Sequence, residues 1–146
     1  MLITGALLIN GGYFWHAFTA HYPKEFSGEW QYGYKQAIAY IDSVRDSYDR
    51  IVLTESIGRP YIYVLFYDRT NPQDFWRTKD ASFDAAGFYN VYGFGKYRFD
   101  AGLTKSDSSQ KTLYVMSPKD VPSTAHVVHT ISLLNGNPVL VAFDSL

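Results

Sequence analysis

Thr54, Glu55, Ser56 and Arg59 fall within six positions of one another, with Gly58 and Pro60 interleaved and Tyr61 directly after. Two hydroxyls, a carboxylate and a guanidinium are there enough to hold a polar ligand. The flanking residues say where the group sits, because a β-branched run precedes it and a proline suited to the first position of a helix follows it. A turn between the carboxy-terminal end of a strand and a helix start is where α/β folds collect ligands, and free helix N–H groups assisted by Arg59 can receive an anion. The turn has one glycine and neither phosphate-binding glycine pattern, which argues against a nucleotide. The same residues also make a purely structural turn, with Ser56 as a cap and Arg59 paired to a nearby carboxylate.

A second group is aromatic: Phe88, Tyr89, Tyr92, Phe94 and Tyr97. Rings so placed form a candidate platform for sugar rings, or a loop that buries its own aromatics against a sheet. Tyr61, Tyr89 and Tyr92 therefore join Thr54, Glu55, Ser56 and Arg59 as candidate ligand-binding residues. Other chemistries find less support. His126 and His129 are three apart in a predicted strand and are expected on opposite faces, while His16 and His21 are five apart, so neither pair has metal-ligand spacing. Paired carboxylates could be drawn from Glu25, Glu29, Glu55, Asp68, Asp74 or Asp84, but any chain with 14 acids offers pairs, so there is no glycosidase-like specificity. There is no Gly-x-Ser-x-Gly elbow for serine catalysis. No cysteine is present, which removes disulfides, thiolate catalysis and the usual structural zinc sites. No catalytic residue, metal ligand or cofactor is assigned.

The elements that must position these groups follow from periodicity. Apolar residues at 30, 34, 37, 38, 41, 44 and 48 share one helical face, predicting a helix over 30–48 with Ser27 as its cap and Glu29 in its first turn. Residues 50–54 read as a buried strand. Pro60 then opens a helix over 61–67, and Asn71 caps a short one over 72–77. The stretch 78–95 has no sustained period and is expected to be a long loop, and 101–110 a solvated one. Strand character returns at 96–99 and 112–116, with a single helical turn after Ser117. The runs 126–134 and 138–143 around Asn135-Gly136-Asn137 read as a hairpin. The expected fold class is α/β: one layered domain with a mixed sheet, helices packed on it and an antiparallel carboxy-terminal hairpin.

Composition sets the remaining bounds. The chain has 146 residues, 47% of them apolar and 18% charged, enough for one cored domain. Its 13 basic and 14 acidic residues give a net charge of -1, so no field steers a polyanion to it and nucleic acid is not an expected partner. Residues 1–22 stand apart from the α/β part at 23–146. An uncharged apolar run ends at Asn10, too short to span about 30 Å of hydrocarbon and lacking the basic start of a signal peptide. It reads either as a buried strand or as the outer end of a transmembrane helix, with Tyr13, Phe14, Trp15, Phe18 and Tyr22 as the aromatic belt at its exit.

Three stretches give the chain a family look: Trp30-Gln-Tyr-Gly-Tyr-Lys-Gln-Ala-Ile-Ala-Tyr-Ile, Tyr48-Asp-Arg-Ile-Val-Leu-Thr-Glu and Gly58-Arg-Pro-Tyr-Ile-Tyr-Val-Leu-Phe-Tyr. With Lys96-Tyr-Arg-Phe, Thr112-Leu-Tyr-Val-Met-Ser-Pro and the Thr130 to Val139 hairpin, they resemble the carboxy-terminal extracytoplasmic domain of bacterial membrane glycosyltransferases related to protein mannosyltransferases and to the aminoarabinose transferase. The resemblance runs roughly over 13–143 and rests on short structural motifs. It implies a non-catalytic accessory domain on the extracytoplasmic face of the cell membrane, partnered by membrane-embedded glycosyltransferase helices or the membrane surface. A glycan or a polyprenyl-phosphate sugar is the implied ligand. The acidic catalytic residue of those enzymes lies in a membrane part that has no counterpart in these residues. The alternative is a stand-alone small α/β carbohydrate-binding module or enzyme.

Overall fold

The computed structural model describes residues 2–100 and 110–144. The expected loop at 101–110 therefore lies almost wholly outside the described residues. Within them the chain begins as a helix, α1 (Leu2–His16), and not as a strand. It continues through one π-helical turn, Ala17–His21, into α2 (Tyr22–Glu25). Pro23 accounts for the widened turn. It has no N–H to give the carbonyl one turn back, and its ring would crowd that carbonyl. The Tyr22 N–H donates instead to the Ala17 carbonyl, five residues back.

The next helix, α3 (Tyr34–Val44), starts four residues later than its periodicity predicts and ends in a 3-10 turn at Arg45–Ser47. Residues 27–33 form a compact turn instead. Gln31 has φ 55° and Gly33 φ 124°, values incompatible with a continuing helix. Ser27 does not cap; its Oγ donates to the Lys24 carbonyl at 3.2 Å, and Glu29 lies outside the helix. Trp30, which matches the apolar period, is 69% exposed.

Strand β1 (Arg50–Thr54) follows, then α4 (Pro60–Tyr67) and α5 (Pro72–Thr78), as the sequence predicts. Asn71 caps α5 by accepting the Gln73 N–H at 2.9 Å. The expected long loop at 78–95 is instead a hairpin of β2 (Asp80–Phe83) and β3 (Tyr89–Phe94). Its turn is built by Asp84, whose Oδ1 accepts the N–H groups of Ala86 and Phe88, each at 2.9 Å, with Gly87 at φ 83°. The remaining strands are β4 (Tyr97–Asp100), β5 (Thr112–Met116), β6 (His126–Ser132) and β7 (Pro138–Asp144), with a 3-10 turn at Pro118–Asp120. The β6–β7 turn closes with the Gly136 N–H on the Leu133 carbonyl and Gly136 at φ 88°, a three-residue loop with a bulge.

The seven strands form one sheet in the order β2-β3-β4-β1-β5-β7-β6. β1 lies at its centre, parallel to β4 and β5, and the other pairings are antiparallel. The chain is thus an α/β layer with a mixed sheet and an antiparallel carboxy-terminal hairpin. Helices α3, α4 and α5 all pack on one face. Ile38, Ile41 and Val64 meet Ile51, Leu53, Leu113, Val115, Leu140 and Ala142 in one cluster, each such side chain contributing about 1.5–3 kcal/mol on burial. On the other face Val52, Tyr114, Met116 and Phe143 form a smaller cluster with Val121 and Ala125.

Register shifts occur on both outer pairings. Val128 is an extra residue between Val127 and His129 opposite Phe143 and Ala142, and Tyr92 is one between Val91 and Gly93 opposite Ala81 and Asp80. The first of these corrects the expectation that His126 and His129 face opposite ways. With Val128 absorbed in a bulge, a spacing of three acts as a spacing of two. Both imidazoles point to the helix side, where His129 stacks on Tyr40 at 4.3 Å.

Candidate functional site

The turn after β1 is held from below by α3. The Tyr34 hydroxyl, buried beneath it, donates to the Thr54 carbonyl at 3.0 Å and reaches the Gly58 carbonyl at 3.4 Å. Burial, then the nearby Glu55 charge, pushes the Tyr34 phenol far above its ordinary range, so it is a fixed donor at any physiological pH. Thr54 is fully buried and its Oγ1 accepts the Ser56 N–H at 3.1 Å. Gly58 has φ 141° and lies so close to Gln31 that a Cβ would stand 2.5 Å from its amide carbon. Thr54 and Gly58 therefore shape the turn. Ser56 is not the helix cap; that position is Arg59, whose side chain makes no capping bond.

Arg59 leaves the turn and crosses to the β2–β3 hairpin. Its Nη1 donates to the Tyr89 carbonyl at 3.5 Å, and its guanidinium carbon lies 5.7 Å from the centre of the Phe88 ring. The sequence-predicted turn thus meets Phe88 and Tyr89 of the aromatic group in one ledge, joined by this side chain, while Phe94 and Tyr97 are buried in the core. Asp84 stands within the field of Arg59. The Phe88 N–H, with smaller help from Asn90, Ala86 and the Arg59 charge, holds the Asp84 carboxyl below its usual range, although desolvation pulls the other way. Glu55 shifts upward, because partial burial and the charge of Asp100 outweigh the opposing effect of Arg59. Tyr61 is half-buried against the core, with its ring 6.5 Å from that of Phe99.

The two tyrosines of the hairpin separate. Tyr89 faces the helix side, where its hydroxyl accepts from Lys79 Nζ and its ring packs 5.1 Å from Phe83. Lys79 Nζ also lies 4.0 Å from the Trp76 ring centre. Tyr92, the extra residue of the β3 bulge, turns to the other face, with its hydroxyl 3.1 Å from Ser82 Oγ. It takes no part in the ledge. The residues brought together are Glu55, Arg59 and Tyr89 from the sequence-predicted set. Lys79 was not singled out, and Asp84 only as one of several acids without specificity, although Asp84 opening an Asp-x-x-Gly turn is a readable hairpin signal.

His126 and His129 lie apart from the ledge, toward the opposite end of α3. His126 Nδ1 lies 2.8 Å from Asp144 Oδ1, and the Tyr48 hydroxyl donates to Asp144 Oδ2 at 3.2 Å. Burial alone would raise the Asp144 carboxyl, but the bonds from His126 and Tyr48 win and hold it below its ordinary value. Tyr48 is pushed up to about 12 by burial and by that carboxylate. Among the described residues no group of three or more potential metal ligands converges.

The ledge offers a guanidinium over an aromatic ring, two carboxylates and an exposed ring edge, the pattern that stacks on a sugar face and bonds its hydroxyls. Comparison of the chain with protein-family models, curated proteins and solved structures found no match.

Proposed function

We propose that this chain is a non-catalytic accessory domain of a membrane glycosyltransferase that uses a lipid-linked sugar, held at the extracytoplasmic membrane surface and assisting glycan or acceptor binding. The observation that carries the reading is α1. A helix apolar all round its circumference has no stable place in water and belongs within lipid or protein. In α1 no residue is buried, and Leu7, Leu8, Ile9, Tyr13, Phe14 and Trp15 all stand exposed. Two polar side chains here bond back to the helical backbone, as hydrocarbon favours: Asn10 Nδ2 donates to the Ala6 carbonyl at 2.9 Å, and just beyond the helix Thr19 Oγ1 donates to the Trp15 carbonyl at 2.7 Å. Stacked rings of Phe14, Phe18, Tyr22 and Phe26 then lead out of it, the composition of a membrane interface. Among the described residues no helix is long and apolar enough to cross a membrane. At about 1.5 Å per residue, α1 reaches roughly 22 Å and fits the outer part of a span.

The ledge around Arg59 supplies the binding half of the proposal. It lies at the same end of β1 as the start of α3, to which Tyr34 ties it, and so at the end where the apolar leader joins the layer. A bound saccharide would sit near the surface where a lipid-linked donor presents its head.

Flotation with neutral phosphatidylcholine vesicles tests the first half: the chain should rise with the lipid and stay bound in high salt, and Leu8→Arg should release it. Titration in neutral detergent with an oligosaccharide and with a polyprenyl phosphate, followed by tryptophan fluorescence, tests the second. Saturable binding weakened by Arg59→Ala and Phe88→Ala is expected. A chain that stays at the bottom of the gradient, with flat titrations, would sink the proposal.

A further inference from the structure

The sheet face that carries no helices has its own charged recess, at the amino-terminal end of β1 and so at the opposite end from the Arg59 ledge. A cleft of about 600 Å³ is lined by Asp49, Arg50, Gly95, Lys96, Arg98 and Gln110. Strand register puts Arg50 and Arg98 on one side. Arg50 alternates with Ile51 and so shares a face with Val52, and Val52 is the direct partner of Arg98 on β4. Their Cα atoms are then roughly 8 Å apart, one strand spacing across and two residues along. Three cations against one carboxylate give the lining a formal charge of 3 − 1 = +2.

The cations are not equally committed to the fold. Lys96 Nζ donates to the carbonyls of Arg45 and Tyr48, at 2.7 and 3.1 Å, and ties the end of α3 to the sheet. Asp49 Oδ2 accepts the Lys111 N–H at 3.0 Å, which accounts for the one acid. Arg98 is held in place by backbone: its Nη1 donates to the Gly95 and Tyr97 carbonyls, at 3.0 and 2.7 Å, leaving the other edge of its fork for a ligand. Gly93, across from it on β3, makes the room, since a Cβ there would stand 2.8 Å from Arg98 Cδ. Arg50 has no ion pair among the described residues, and its Nε is enclosed without an acceptor. Leaving a guanidinium N–H so enclosed is costly unless another group completes the site.

We propose that this cleft binds a phosphate group, free or on a phosphomonoester, with Arg50 and Arg98 as the two forks that grip it. The formal +2 of the lining matches a phosphate dianion, and guanidinium geometry fits its oxygens in pairs. The site is independent of the ledge and of any membrane contact. Its position, at the far end of the layer from α1, gives the domain two separate ligand ends.

The test uses the full chain in neutral detergent, labelled with nitrogen-15, titrated at constant ionic strength with inorganic phosphate, a hexose 1-phosphate, acetate and chloride. Amide shifts that saturate with phosphate and cluster at Arg50, Gly95, Lys96 and Arg98 are expected, and a tighter hexose 1-phosphate would mark the ester as the natural form. Arg50→Gln and Arg98→Gln should each weaken binding about tenfold or more, the worth of a charged hydrogen bond. Lys35→Gln, on the helix side, should leave it intact. Should Arg50→Gln unfold the chain, Arg98→Gln, at an exposed position, still decides the matter. Shifts that stay linear, appear equally with chloride, or survive Arg98→Gln would overturn the site.

Discussion

Helices α1 and α3 have opposite relations to water. The first is apolar on every side and buries nothing; the second buries Tyr34, Ala37, Ile38 and Ile41 on one face and gives Lys35, Asp42 and Ser43 to solvent. The second is a helix because the layer beneath it demands one. The first receives no such support from the rest of the chain, so its helical state depends on what surrounds it. One polypeptide thus contains an element stabilised from within and an element waiting for its solvent.

Removing core volume should break this contrast most sharply. Ile41→Ala, at a fully buried site, should cost about 2–5 kcal/mol in urea unfolding, whereas Leu8→Ala should change the same transition by less than about 0.5 kcal/mol. If the two substitutions cost alike, α1 is packed against the layer after all. Glycine gives the next largest effect. Gly33 sits at φ 124° at the start of α3 with Val139 Cγ1 2.8 Å from a would-be Cβ, so Gly33→Ala should destabilise by about 1–3 kcal/mol. Gly11, inside α1, has nothing within 4 Å of that position, and Gly11→Ala should raise the helicity of the detergent-bound chain, by about 1 kcal/mol of helix propensity. Circular dichroism and thermal melts read both.

Tyr34→Phe should cost about 1 kcal/mol by leaving the Thr54 carbonyl without its donor. It should also weaken any ligand of the Arg59 ledge, since the turn loses its support. The smallest effect is one of pH. Asp144 is depressed below its ordinary 3.8, so its contribution is fully present above that value and disappears as pH falls through the folded one. Tyr48→Phe and His126→Gln should flatten this part of the acid limb of a stability curve measured below pH 4. Between pH 5 and 3 the helicity of α1 in detergent should not change, because α1 contains no carboxylate.

What could be read ahead of the structure was what neighbours in sequence decide. Pro60 and Asn71 place the starts of α4 and α5 by local sterics and one hydrogen bond, and the β-branched run of β1 needs no partner to be recognised. The start of α3 was misplaced because Trp30 extends the apolar period by chance, while Gly33 ends it by backbone conformation, which periodicity does not see. The β2–β3 hairpin escaped for a different reason. β2 is exposed along most of its length, so it lacks the alternation that betrays a half-buried strand, and its pairing is fixed by Asp84 and Gly87 in the turn. At the candidate site the turn residues were found, yet their junction with Phe88 and Tyr89 was not, because a long arginine crossing between elements leaves no trace in spacing. Tyr92 was grouped with Tyr89 because 78–95 was read as a loop; in a strand, residues three apart fall on opposite faces.

Both outermost pairings of the sheet carry an extra residue, Val128 on β6 and Tyr92 on β3 beside β2. An open sheet leaves two rows of unsatisfied backbone groups that invite a second molecule to add a strand, and an irregular, more strongly twisted rim is a poor template for that addition. A sheet with regular open rims would otherwise polymerise edge to edge. Deleting Val128 would straighten one rim, and the first symptom would be fibres rather than lost binding.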